Sequence, residues 1–84
     1  MRDDLLAIKP MEAAGWITTY SAADKKRMAS GYPIPHDTVG FEKGIMNVWK
    51  AVKDKENIDW RYAELINGEY CNHRWITIEE AVKL

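Results

Sequence analysis

Arg61-Tyr62-Ala63-Glu64-Leu65-Ile66-Asn67-Gly68-Glu69-Tyr70-Cys71-Asn72-His73-Arg74 admits two readings, and the choice between them sets the fold class. Asn-Gly is a strong two-residue hairpin signal, because both positions accept the positive φ of a type I′ turn. On that reading residues 61–66 form a strand paired with residues 69–74. On the other, Asn67-Gly68 ends a helix over Ile58–Ile66, with Ile58, Tyr62, Leu65 and Ile66 on one face and Asn57 or Asp59 as its cap. Arg61, Ala63, Glu64 and Leu65 are helix formers, which favours the helix. Residues 70–78 are mixed, turn β-branched towards their end, and read as an irregular or strand segment.

Upstream, Phe41, Ile45, Val48, Trp49 and Val52 recur at helical spacing with Glu42, Lys43, Asn47, Lys50 and Lys53 opposite, which predicts a helix capped by Asp37 or Thr38. Gly40 and Gly44 lie four apart on its first turns, and residues 53–57 are a solvated break. At the start of the chain Asp3 or Asp4 caps a short helix through Leu5, Leu6 and Ile8. Pro10 suits the first turn of a second stretch, residues 11–14, which Gly15 stops. Ser21 and Asp24 have the spacing of an N-terminal cap for a helix over residues 21–29 that Ser30-Gly31 ends. Pro33 and Pro35 then impose an extended loop, and Thr77-Ile78-Glu79-Glu80 is a capping box for a last helix running to Leu84.

The expected fold is therefore mainly α: a single small domain over residues 1–84, with four or five short helices and at most one short β-hairpin or strand near residues 69–78. The repeated tripeptides Trp16-Ile17-Thr18 and Trp75-Ile76-Thr77 read as two helix entrances. Trp16, Trp49, Trp60 and Trp75 are all assigned to the core, which a chain of 84 residues needs because it buries only about 60–65% of its unfolded surface.

Composition narrows the function classes. Hydrophobic residues are 46% and charged residues 30%, as in folded rather than disordered chains. The apolar run Leu5-Leu6-Ala7-Ile8 is far short of a membrane span, and Cys71 has no partner for a disulfide, which fits a cytoplasmic protein with no membrane role. No Gly-rich phosphate loop, paired Cys-x-x-Cys, His-Glu-x-x-His or Gly-x-Ser-x-Gly occurs. Cys71-Asn72-His73 with distant His36 offers too few ligands for a structural metal, and Glu79-Glu80 point in different directions on a helix. The expectation is a protein that is not an enzyme and takes no metal and no cofactor.

Net charge is −1, distributed as −1 over residues 1–20, +3 over residues 21–55 and −3 over residues 56–84. Lys25-Lys26-Arg27 is the densest basic cluster and a candidate for contact with a phosphate backbone. The aromatic, aliphatic, hydroxyl and Ala-Ala pattern from Trp16 to Ala23 resembles the opening of the helix-turn-helix in MerR-type and excisionase-like DNA-binding proteins. That resemblance implies a small DNA-binding regulator using Lys25, Lys26 and Arg27; it covers eight residues and departs where a Pro-rich loop replaces the tight turn. Tyr32, Pro33, Ile34 and Pro35 form an aromatic and apolar loop without core periodicity, a candidate surface for another protein. The favoured function is a small protein-interaction or regulatory domain of accessory, adaptor or inhibitor type, a form common among phage and bacterial factors. The DNA-binding regulator is the alternative.

Overall fold

Thr18, Phe41, Val48, Tyr62 and Arg74 stand side by side on five neighbouring strands of one antiparallel sheet. The computed structural model describes residues 2–84. In chain order the elements are α1 Asp3–Ala13, β1 Ile17–Thr19, α2 Ala22–Ala29, β2 Gly40–Lys43, β3 Met46–Val52, β4 Ile58–Ile66, β5 Glu69–Ile76 and α3 Ile78–Ala81. The sheet is a meander in the order β1-β2-β3-β4-β5. A mainly helical domain is thus overturned: the protein is mixed, and sheet rather than helix builds it.

The two central helices predicted from spacing are strands for a specific reason. Phe41 and Val48 face the core from neighbouring strands, Ile45 is in the loop between them, and Trp49 points to the opposite face. A sheet with apolar residues on both faces scatters them at intervals that imitate a helical stripe. Gly44 takes φ +60 at the first position of the two-residue loop, as a type II′ turn requires, so the glycine that looked like a weak helix start is a hairpin corner. In the same way Asn67 (φ 52) and Gly68 (φ 81) join β4 to β5. The hairpin reading of residues 61–74 is the one the chain adopts, and the strand near residues 69–78 extends from Glu69 to Ile76.

The cap assigned to Asp3 or Asp4 is not formed, since α1 begins at Asp3 after Arg2 with no side-chain cap and both aspartates lie in its first turn, but the Ser21 and Thr77 cap signals hold. Ser21 caps α2 by accepting from the Asp24 amide at 3.0 Å, and Thr77 with Glu80 forms a reciprocal capping box on α3. The predicted break at Pro10 does not occur. α1 runs through it, held by Ala7 and Met11, which are fully buried on either side. Burial of those two side chains offsets the backbone hydrogen bond that the proline cannot donate.

One core cluster lies between the sheet and two of the helices: Ala7 and Met11 of α1, Trp16, Val39, Phe41, Val48, Trp60, Tyr62, Ile76, and Ala81 of α3. The Trp16 indole N–H donates to the Ala81 carbonyl at 3.1 Å, tying the entrance of β1 to α3. Lys43 donates to the carbonyls of Ala14 and Leu84, and Thr18 donates to Glu12, so α1 and the chain end lie on the face of these residues. Gly40 lies on β2 between Thr19 of β1 and Trp49 of β3, where there is no room for a side chain. A Cβ there would meet Thr19 Oγ1 at 2.8 Å and the Val48 carbonyl at 3.4 Å. Gly40→Ala should therefore lower the unfolding free energy by about 1–3 kcal/mol, measured by urea denaturation; an unchanged midpoint would mean that β1 moves freely against β2.

Candidate functional site

Side chains alternate between faces along a strand, so register assigns the second face without ambiguity. One row across the sheet is Thr19, Gly40, Trp49, Arg61 and Trp75; the next holds Ile17, Glu42, Asn47 and Ala63. None of these residues except Ala63 is buried, and the helices that pack on the sheet cover the other side. This outer face is where two of the four tryptophans lie. Trp16 and Trp60 are in the core as expected, whereas Trp49 and Trp75 are half-buried on the open face, which corrects their assignment.

The outer face is organised. Trp49 has its ring centroid 5.8 Å from that of Tyr70 and 6.4 Å from that of His73, and the Arg61 guanidinium lies 4.9 Å from the Trp75 ring centroid. Ala63 is 0% exposed although it belongs to this face and is apart from the core cluster. His73 reaches the face because β5 carries one extra residue opposite β4, between Tyr62 and Glu64. Asn72 takes φ 55 at that bulge.

Glu64, on the core side of the bulge, accepts from the Tyr62 hydroxyl at 2.6 Å and from the Asn72 amide. The Tyr62 bond, then the Asn72 bond, hold its carboxyl below the usual carboxylate range. Burial first, then that same bond, pushes the Tyr62 hydroxyl up to about 12. The cluster fixes the bulge, and so sets His73 beside Trp49. Cys71 and His73 flank the bulge and face opposite sides of the sheet, so the Cys-x-His pair is not brought together. Among the described residues no group of three His, Cys, Asp or Glu side chains is arranged to hold a metal ion.

The residues singled out in the sequence are elsewhere. Tyr32 and Ile34 are exposed, each 56%, while Pro35 is buried. Their loop is pinned at its end: Arg2 donates to the carbonyls of Pro35 (2.5 Å), His36 and Asp37, and buried Asp24 accepts from the amides of His36 and Asp37. Lys25 and Lys26 are exposed on α2, but Arg27 is held by Asp24 at 2.6 Å with Asp37 at 3.9 Å. Lys50 lies over the Trp60 ring beside Asp3, and Lys53 pairs with Asp59, so no continuous positive face joins these groups. After α2 the chain enters β2; the second helix of a helix-turn-helix is not there.

Family models, curated proteins and solved structures all give no match to this chain. Among the described residues no helix is long and apolar enough to cross a membrane.

The signal that the sequence offered for this site was the alternation itself. Trp49, Arg61 and Trp75 fall in one row only once β3, β4 and β5 are paired, and a helical reading of residues 41–66 hides them.

Proposed function

We propose that the chain is a non-enzymatic protein-binding module of accessory, adaptor or inhibitor type whose working surface is the outer face of the sheet. The observation that carries this is the row Trp49, Arg61 and Trp75 with Tyr70 beside it, half-exposed on a face that no helix covers. The core is closed without these residues. Trp, Tyr and Arg are the side chains that dominate binding energy at protein interfaces, because they offer large, stiff contact areas with a polar handle. Tyr32 and Ile34, exposed on a pinned loop, are a second candidate contact of the same kind. A cytoplasmic setting belongs to the same proposal, supported by the single free thiol Cys71.

Contact with DNA through Lys25, Lys26 and Arg27 has less behind it, since Arg27 is already held by two carboxylates. The test is affinity capture from the native host with tagged wild type, Trp49→Ala/Trp75→Ala and Tyr32→Ala/Ile34→Ala, read by quantitative mass spectrometry. The tryptophan pair should lose the proteins that wild type enriches by about tenfold or more. Full retention by that variant would remove the outer face as the working surface.

A further inference from the structure

We propose that the outer face is built to receive a second copy of this chain, face to face; this rests on that face being the working surface. The argument is charge complementarity within one patch. Outer-face residues Arg61 and Glu42 lie on β4 and β2, on either side of β3. Among the described residues neither joins an ion pair, whereas Asp59 on the same face is already paired with Lys53. A two-fold interface sets each patch against itself, so a patch that carries, among the described residues, a cation stacked on Trp75 and an anion, both without an ion partner and at separate positions, is self-complementary. The two-fold axis that sets Arg61 against the other copy's Glu42 repeats the same pair at its second end, with Trp49 between them. An unrelated acidic partner would satisfy Arg61 and leave Glu42 opposed.

The sheet edges favour this mode over strand addition. β1 is three residues long, and β5 is interrupted by the Asn72 bulge, two devices that blunt an edge against pairing with another chain. Ile17 and Tyr70, 62% and 54% exposed, extend the apolar part of the face towards both edges. Five strands about 4.8 Å apart give a patch at the small end of specific interfaces, so the dimer is reversible and concentration-dependent.

Sedimentation velocity on the full chain, from about 1 to 500 µM, reads this directly, a range that brackets a weak interface. Wild type should shift from monomer to dimer across that range. Arg61→Glu alone and Glu42→Arg alone should each weaken self-association by about tenfold or more, because each homodimer then opposes like charges twice. Equimolar mixing of the two single variants, and the double variant Arg61→Glu/Glu42→Arg, should both restore the dimer, which excludes misfolding as the cause of the loss. A wild type monomeric at every concentration overturns the second copy but leaves the protein-binding reading standing if Trp49→Ala/Trp75→Ala still loses its captured proteins. Dimerisation that survives both single variants unchanged also overturns it. So does a monomer whose outer face instead binds a fluorescent single-stranded oligonucleotide at physiological salt.

Discussion

Phe41→Ala should lower the unfolding free energy by about 3–5 kcal/mol, the cost of deleting a buried ring that its surroundings refill only in part. Phe41 is 1% exposed, with its ring centroid 5.7 Å from that of Trp60, and its strand is flanked on both sides. A chain of this length has a total stability of about 4–12 kcal/mol, so the loss is a large share of it. Urea denaturation followed by circular dichroism should show an early transition, or none at 37 °C. Trp49→Ala is the comparison. It removes a larger side chain but from the open face, where the ring stays half in water, and should cost about 1–2 kcal/mol. An equal loss from both would mean that the Trp49, Tyr70 and His73 cluster is a second core rather than a surface held ready for a partner.

That contrast also marks what could be read in advance. The Ser21 and Thr77 caps were legible, because each acts within a few residues and their hydroxyls find amides regardless of the surrounding fold, whereas the carboxylate of Asp4, read as a cap, is drawn to Arg2 and the Val39 amide instead. The Asn67-Gly68 turn was legible as one of two options; what decided between them lay outside the stretch, in β3 and β5. Arg61, Ala63, Glu64 and Leu65 do prefer helix, but by tenths of a kcal/mol each, and pairing on both sides with burial of Trp60 and Tyr62 outweighs that sum. The outer face was illegible for the same reason. Trp49 and Val48 are adjacent apolar residues that belong to different surfaces, and only the register says which is which. The proline loop was placed correctly as irregular, yet nothing local showed that Asp24, assigned to a cap box, would reach across to hold residues 36 and 37.

Acid should release that loop before it unfolds the sheet. Burial alone would push the Asp24 carboxyl up, but the amides of His36 and Asp37 and the Arg27 guanidinium all bond its charged form and hold it below the usual carboxylate range. Asp4 is balanced the same way: burial raises it, while bonds from Arg2 and from the buried Val39 amide bring it below the usual carboxylate range. A carboxyl whose folded pKa lies under its unfolded value adds stability above the unfolded pKa and loses it as pH falls through the folded one. The urea midpoint should therefore hold steady above about pH 5 and fall progressively below pH 4. Asp24→Ala should lower the midpoint at pH 7, flatten its dependence below pH 4, and cut hydrogen-exchange protection at the His36 and Asp37 amides by about tenfold or more. Asp4→Ala should cost about 1–3 kcal/mol at pH 7, because it strands the Val39 amide in the core. The two sites together tie α1, α2 and the loop into one clamp just before the start of β2. If Asp24→Ala leaves the acid limb as steep as wild type, the sensitivity resides instead in the other lowered carboxyls, Asp4, Asp54 and Glu64, and the matching amide variant, Asp4→Asn, Asp54→Asn or Glu64→Gln, should flatten it.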